Sequence, residues 1–299
     1  FFLSHFSIAI SDYNLDYKEV SPGVFVYLGK NESLNNTNGG AIANTGFIVG
    51  EESVLVIDAG PSYLYAEEMI KFIRSTSDAD IKYLIVTHHH PDHSFGISKF
   101  LDIGSKVIIS EIEFKRYLKY GNKLLNNMKY LMGEEWFKNT QISEFAYKES
   151  LFPLTIDLGK RKINIRLYEN GHSGGDLIID DINSNIIFVG DLVFNDRAPT
   201  IPHANISNWS EYLEEISNSK WSKLIPGHGP IIKNKKDIDL TKKWIKHIHS
   251  VAMESVNNGI SPAEVLEYGV PKHLSNIKLA EETWYRDVQV LMKRYENDN

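Results

Sequence analysis

The order of hydrophobic and polar positions predicts strands, then a helix, over the first third of the chain. Short runs rich in β-branched and aromatic residues at 23–28, 45–49 and 53–57 are separated by glycine and asparagine, which is typical of a strand meander. Residues 61–75 repeat apolar positions at helical spacing and predict a helix. The run 81–86 ends in consecutive apolar residues, which is typical of a strand covered on both faces.

The rest of the pattern alternates between helical and strand segments and ends in helices. Helical segments are predicted at 93–101, 111–138 and 207–217, and strands at 106–110, 162–168, 177–179, 185–189 and 221–225. The last seventy residues are predicted to be helical, with Ser261 capping a helix that Pro262 opens. This order favours an α/β fold in which two layers of sheet lie between helices. We expect one domain over 12–299, with C-terminal helices from about residue 237.

The amino-acid composition limits the kinds of catalytic and metal-binding site that the protein can form. The 299 residues are 42% hydrophobic and 24% charged, as in an ordinary globular protein, and none is cysteine. Disulfides, thiolate metal sites and cysteine nucleophiles are therefore excluded, and any transition metal must use histidine and carboxylate ligands. The net charge of −7 argues against a nucleic-acid partner. The sequence contains no run of eighteen or more apolar residues, so no membrane span is predicted.

The first eleven residues resemble the end of an export signal. They begin at Phe1, lack Asp, Glu, Lys and Arg, and finish with Ala9 and Ser11 in the spacing of a signal-peptidase site. This pattern predicts a clipped signal over 1–11, a mature chain from about Asp12, and a periplasmic or secreted protein. The alternative is a plain N-terminal strand, in which case a cytoplasmic location is expected.

The segment 88–93, His-His-His-Pro-Asp-His, follows the buried strand directly. Alternate residues of an extended segment point the same way, so His88 and His90 can face one metal ion while the histidine between them packs elsewhere. The proline disfavours a helical His90 and can open a helix itself, which puts Asp92 and His93 in the first turn of that helix. Those two side chains can then face a second ion.

Three later residues complete a candidate ligand set. His172 lies in a glycine-rich turn between strands, Asp191 ends the apolar run 186–189, and His228 follows the short strand 221–225. Each is flanked by small residues, which leave room for an ion and a substrate. A lone histidine in such a turn is usually structural, so the assignment depends on all these segments occurring in this order.

Together these motifs resemble the metallo-β-lactamase superfamily from about Gly23 to Pro230. The resemblance implies an αββα sandwich, to which the C-terminal helices are an appendage. It also implies a bridging aspartate that occurs in the glyoxalase II and lactonase branches but not in true β-lactamases, which argues against antibiotic hydrolysis. The implied roles are metal 1 ligands His88, His90 and His172, metal 2 ligands Asp92, His93 and His228, a bridging Asp191, and Asp58 supporting the metal-binding loop from behind.

A narrower likeness covers nearly the whole mature chain. The segments 190–199, 226–230 and 282–286, together with Trp209, resemble the quinoprotein relay system zinc metallohydrolases, a SoxH-like branch. Members are typically exported bacterial proteins associated with quinoprotein dehydrogenase or sulfur-oxidation systems.

The ligand types predict the chemistry independently of the family. Imidazole and carboxylate donors suit two Zn²⁺ ions, although Fe or Mn would be tolerated. Asp92, Asp191 and a bridging hydroxide would leave such a centre about one unit positive, and coordination lowers the pKa of water from about 15.7 towards ~7. We interpret Asp92 and Asp191 as the catalytic carboxylates. The bridging hydroxide is expected to attack a carbonyl-type substrate, an ester, lactone, thioester or amide.

Several alternatives stay open at this point. The protein could be a glyoxalase II-like thioesterase or lactonase, an iron-binding redox member of the superfamily, or a metal-dependent partner protein with vestigial turnover. A small-molecule substrate is expected, and the oligomeric state is not predicted. Arg197 and His203 are candidate substrate residues at the mouth of the site, where Arg197 could grip an anionic group. His247 and His249 lie two apart on a predicted helix and receive no role.

Overall fold

Two β-sheets lie face to face in the computed structural model, which describes residues 12–145 and 151–298. The predicted signal remnant, residues 1–11, lies outside the described residues. Helices cover the outer surface of each sheet. In chain order the elements are β1 (Lys18–Ser21), β2 (Val24–Tyr27), β3 (Thr45–Val49), β4 (Ser53–Ile57), α1 (Tyr63–Thr76), β5 (Asp80–Ile85), α2 (Pro91–Ser94), α3 (Ile97–Asp102), β6 (Lys106–Ile108), α4 (Glu111–Met132), β7 (Leu154–Asp157), β8 (Lys162–Glu169), β9 (Gly175–Asp181), β10 (Ile186–Phe188), α5 (Ile206–Asn218), β11 (Lys223–Ile225), α6 (Asp239–Asn257), α7 (Pro262–Tyr268) and α8 (Ala280–Asp298).

Both sheets are mixed. The first has the order β1-β2-β3-β4-β5-β6, with parallel pairs at β4–β5 and β5–β6. The second has the order β11-β10-β9-β8-β7, with a parallel pair at β10–β11. Parallel neighbours end at the same edge of a sheet, so the loops after β4 and β5 start side by side, as do those after β10 and β11.

Alternating side chains of the central strands enter two different hydrophobic clusters. In β4, Leu55 and Ile57 pack between the two sheets, whereas Val54 and Val56 pack under α1, α3 and α4. All four residues are at most 2% exposed. Because both faces of the strand are covered, its sequence is apolar throughout and does not alternate. The predicted α/β sandwich with helices outside is confirmed.

The C-terminal helices cover the second sheet. Trp244 of α6 and Trp284 of α8 are buried in the same cluster as Trp209 of α5. Ser261 caps α7, since its hydroxyl accepts a hydrogen bond from the Glu264 N–H at 3.3 Å, and Pro262 is the first helical residue, as predicted. No helix in 12–145 or 151–298 combines the length and apolar character needed to cross a bilayer.

One predicted helix is divided in the structure. Residues 93–101 were expected to form a single helix, but α2 ends at Ser94 and α3 begins at Ile97. Gly96 lies between them, where an added Cβ would be 2.1 Å from the carbonyl oxygen of Ala59. This close approach to the chain after β4 fixes the position of α2. Strand β1 was not predicted, because it is short and has no buried residue.

Asp287 of α8 holds the loop that precedes α5. Its side chain is fully buried, and Oδ2 accepts a hydrogen bond from the Ile201 N–H at 2.9 Å. Asp287→Ala leaves that buried N–H without an acceptor, so we expect the free energy of unfolding to fall by ~1–3 kcal/mol. Urea unfolding measures the change. Asp287→Asn keeps an acceptor oxygen of the same size and is expected to lose less; equal losses in the two variants would contradict this role.

Candidate metal centre

The turn between β5 and α2 and the first turn of α2 together present four of the predicted ligands. His90 has extended backbone angles (φ −59°, ψ 148°) and immediately precedes α2, while Pro91 occupies its first position, as predicted. Asp92 and His93 therefore lie in the first turn of the helix. The rings of His88, His90 and His93 come together, with centroids of His88 4.5 Å from His90 and 4.4 Å from His93.

A first group of donor atoms gathers around His90 and one carboxylate oxygen. His90 Nδ1 lies 2.8 Å from His88 Nε2 and 3.2 Å from His172 Nε2. Asp191 Oδ2 lies 3.4 Å from His172 Nε2 and 3.8 Å from His88 Nε2. Donors about 2.1 Å from one tetrahedral ion are roughly 3.4 Å apart, so these four atoms can share an ion.

A second group lies on the other side of the same carboxylate. His228 Nε2 is 3.4 Å from Asp92 Oδ2, and His93 Nε2 is 3.7 Å from it. Asp191 Oδ1 is 3.3 Å from His93 Nε2 and 3.4 Å from His228 Nε2. Asp191 thus directs one oxygen to each group, and the structure brings all seven predicted ligands together at one edge of the sandwich.

Hydrogen bonds between the donor atoms leave some of them without a partner, whereas metal ions would satisfy them. His93 Nε2 and Asp191 Oδ1 are buried and have no hydrogen-bond partner among the described residues. Buried polar atoms without a partner are uncommon and costly. A divalent cation within the second group would satisfy both atoms, and imidazole with carboxylate oxygen is a donor set that such cations bind.

Burial sets the charge state of the first group. It lowers the pKa of His88 and His90 well below the usual range, and that of His172 to about 4, so these imidazoles are neutral at physiological pH. Burial opposes ionisation of Asp191, but His228 and His93 hold its pKa well below the usual range. A neutral imidazole and an ionised carboxylate are the forms that bind metal.

Asp58 holds His93 from behind. It ends β4 with φ +61°, which aspartate tolerates better than most residues, and is 1% exposed. Its carboxylate accepts hydrogen bonds from the Thr87 N–H at 2.7 Å and the Thr87 hydroxyl at 3.0 Å, and lies 2.8 Å from His93 Nδ1. An Nδ1–H donated to Asp58 leaves Nε2 free to bind a cation.

Asn44 and Ile42 position His228, and sequence reasoning missed both. His228 Nδ1 donates to the Ile42 carbonyl at 2.8 Å. The Asn44 amide donates to the carbonyls of Pro226 and Gly229, both at 2.8 Å. Asn44 belongs to no motif, and its partners are more than 180 residues away along the chain, so no local signal could have identified it.

Glu113 was also missed, although the sequence contained a signal. It is fully buried on the face of α4 that carries Tyr117, where an acidic residue is unexpected. One carboxylate oxygen accepts the His89 N–H at 3.0 Å and contacts His89 Nδ1, while the other accepts the Gly174 N–H at 2.9 Å. Glu113 therefore connects the histidine segment to the turn that carries His172. His89 contacts Glu113 through Nδ1, and its ring also lies beside those of His90 and His203, with centroids 4.9 and 5.4 Å away.

The two candidate substrate residues have different surroundings. A cavity of about 330 Å³ borders both donor groups, and Arg197 is in its wall together with Thr283 and Arg286 from the C-terminal region. His203 is instead placed with Nδ1 3.0 Å from Nε2 of His90, on the side of that ring away from the first group. Burial lowers the pKa of His203 to about 4, so it contacts His90 as a neutral ring.

This sandwich, with histidine and aspartate donors clustered at one edge, has the architecture of metal-binding hydrolases. The sequence profile described as the Metallo-beta-lactamase superfamily matches residues 38–228. The chain belongs to that superfamily.

Two relatives carry enzymatic names. The chain is 26% identical to human "Acyl-coenzyme A thioesterase MBLAC2" over 209 residues, which cover 62% of this chain and 72% of the relative. It is 22% identical to "Linear primary-alkylsulfatase" from Pseudomonas sp. (strain ATCC 19151), matching 76% of this chain and spanning only 50% of that protein. These relatives and the fold together show a hydrolase.

Solved structures show the same fold at low identity. A metallo-beta-lactamase from Pontibacter korlensis superimposes with a TM-score of 0.59 at 18% identity, covering 78% of this chain and 99% of that chain. A metallo-beta-lactamase from Hirschia baltica gives a TM-score of 0.59 at 19% identity, with 77% and 97% covered. At these identities the likeness concerns the fold alone.

Asp58→Asn is expected to weaken metal binding without removing a ligand. The amide keeps the size of the side chain, but it cannot accept all three hydrogen bonds, so the tautomer of His93 with a free Nε2 is no longer enforced. We expect a loss of ~10–100-fold in affinity for one of two metal equivalents, measured by competition with a chelator. Asp102→Asn, at an exposed residue, controls for the lost charge; an unchanged affinity in Asp58→Asn would contradict the role.

Asp176, which supports the His172 turn, predicts a pH dependence of stability. It is 2% exposed, accepts hydrogen bonds from the Ser173 N–H and hydroxyl, and burial raises its pKa to about 7. The folded state therefore favours the protonated form of Asp176. The contribution of this group to the free energy of unfolding is lost as pH rises through about 7.

Relative to wild type, metal-free Asp176→Asn is expected to become more stable by ~2–4 kcal/mol between pH 5 and pH 9. Urea unfolding of both chelator-treated proteins at five pH values measures the difference. Parallel stability curves would show that Asp176 does not titrate in this range.

Proposed function

We propose that the protein is a binuclear zinc-dependent hydrolase of a carbonyl-type substrate, and that an ester or thioester is the preferred class. The observation that carries the proposal is the position of Asp191, whose two oxygens face two separate groups of donor atoms. Such a carboxylate is suited to hold two ions side by side. The name of the thioesterase relative supports a thioester among the possible substrates.

A bound pair of divalent ions supplies Lewis acidity, which makes hydroxide available near neutral pH and polarises a carbonyl oxygen. Hydrolysis adds water across an acyl C–O or C–S bond and yields a carboxylic acid and an alcohol or thiol. The chain contributes neutral imidazoles at His88, His90 and His172 and an ionised Asp191, so these four groups need no deprotonation when ions bind.

The proposal extends to the narrower branch. Residues 190–199 and 282–286, which resemble the quinoprotein relay system zinc metallohydrolases, both contribute to the wall of one cavity: Asp191 and Arg197 come from the first segment, and Glu282 and Arg286 from the second. Segments that jointly enclose a substrate cavity are expected to vary together, which supports placing the chain near that branch. Periplasmic export, predicted from residues 1–11, accompanies this placement.

Metal analysis and a substrate panel test the proposal. Wild-type protein loaded with excess Zn²⁺ and desalted is expected to hold two equivalents and to hydrolyse at least one compound of an ester, lactone, thioester and amide panel. His90→Ala is expected to hold no more than about one equivalent and to lose at least ~10²-fold in kcat/KM. His273→Ala, at an exposed histidine outside the centre, is the matched control.

Three results would overturn the proposal. The first is less than half an equivalent of zinc after loading, and the second is activity that survives in His90→Ala. The third is a stable iron centre that consumes oxygen and hydrolyses nothing, which would favour a redox member of the superfamily.

A further inference from the structure

Arg197 is a buried cation without an ionic partner. Its side chain is among the buried polar groups at 5% exposure, and its Nε has no hydrogen-bond partner among the described residues. Nη1 donates to the Glu32 carbonyl at 3.3 Å. Within 12–145 and 151–298, none of the ion pairs at 4.0 Å or less involves Arg197. Burial lowers the pKa of Arg197 below its usual range, so the charge is held at a cost.

Two segments of the chain position Arg197: the loop that follows Asp191 and the residues just before α8. It lies six residues after Asp191 along the chain, and the neighbouring Ala198 N–H donates to the Lys278 carbonyl at 2.9 Å, just before α8. This places the guanidinium in the wall of the 330 Å³ cavity that also borders Asp92 and His228. A ligand in contact with the donor groups is therefore within the same enclosed space as Arg197.

The other charged groups of the cavity are already engaged. Asp92 and Asp191 belong to the donor groups, and two divalent ions carry more positive charge than two carboxylates neutralise. Glu282 is exposed and contacts the Ser33 hydroxyl. Arg286 donates to the buried Asp287. Once the site is loaded, Asp92 and Asp191 would face the ions, which leaves the exposed Glu282 as the remaining carboxylate that favours the charge of Arg197.

We propose that Arg197 binds an anionic group of the substrate, so that the enzyme acts on small anionic esters or thioesters in preference to neutral ones. This inference rests on the proposed function. The guanidinium makes one hydrogen bond within the described residues, to the Glu32 carbonyl, and it borders the cavity, so its charge and remaining donor capacity are available to a carboxylate or similar oxyanion there.

A matched pair of substrates tests the preference. The mono-4-nitrophenyl ester of glutaric acid carries a carboxylate. Methyl 4-nitrophenyl glutarate, in which that carboxylate is methylated, has the same leaving group and is neutral. Wild type is expected to favour the monoester at least ~10-fold in kcat/KM, because charge-assisted hydrogen bonds are lost with the neutral compound. Arg197→Gln is expected to lower kcat/KM for the monoester more than for the diester, so that this preference is lost. Arg197→Lys keeps the charge without the planar guanidinium and is expected to fall between them.

A binding measurement separates this inference from the proposed hydrolysis. The ketone 5-oxo-5-phenylpentanoate has a carboxylate and a carbonyl but no bond to hydrolyse, and 1-phenylpentan-1-one is its neutral counterpart. Zinc-loaded wild type is expected to bind the anionic ketone at least ~10-fold more tightly by calorimetry, and Arg197→Gln to bind both equally. Arg74→Gln, at an exposed arginine on α1, controls for net charge, and zinc content and thermal unfolding confirm that each variant is folded and loaded.

Equal affinity of wild type for the two ketones, or a charge preference that persists in folded Arg197→Gln, would overturn the inference. Metal-dependent hydrolysis with no preference between the monoester and the diester would overturn it while leaving the proposed function standing. Binding of the anionic ketone through Arg197 without hydrolysis of any ester or thioester would support the role of Arg197 but overturn the proposed hydrolase function.

Discussion

The crowding of donor atoms around Asp191 is the constraint on which the rest of the structure depends. Imidazole and carboxylate groups lie 2.8 to 3.8 Å apart in a buried space, where like groups repel and several atoms have no partner. Such a cluster does not hold itself together. It is held from outside by hydrogen bonds that the far sides of the ligands donate, from His93 to Asp58 and from His228 to the Ile42 carbonyl. The loops can meet because Gly227 has no side chain: an added Cβ there would lie 1.9 Å from Asp191 Oδ1.

The parts of the site that the sequence predicted are those encoded locally. Each ligand follows or precedes a strand whose apolar run is visible in the sequence, and parallel strands bring their ends to one edge of a sheet. The Pro91 turn likewise depends only on adjacent residues. The pattern in 88–93 and the three later segments were therefore sufficient to predict the ligand set that the fold gathers.

The parts that the sequence did not predict depend on contacts between distant segments. Asn44 acts on a loop more than 180 residues away, and Glu113 is separated from Gly174 by 61. The division of the predicted helix at Gly96 depends on the carbonyl of Ala59, which no local pattern reveals. The contact of His203 with His90, across 113 residues, is of the same kind. A buried acidic residue on an apolar helix face was the one available clue, at Glu113.

The cavity is lined by residues from two parts of the chain, one inside the segment that matches the superfamily profile and one outside it. The superfamily profile ends at residue 228, and all the candidate metal ligands lie within it. Another part of the cavity wall, formed by Glu282, Thr283 and Arg286, lies beyond that boundary on α8, whose buried Trp284 packs in the cluster that covers the second sheet. Arg197 thus comes from the stretch that carries the candidate ligands, whereas this part of the wall comes from a helix outside it. Substitutions in α8 change the shape of the cavity while leaving every candidate metal ligand in place.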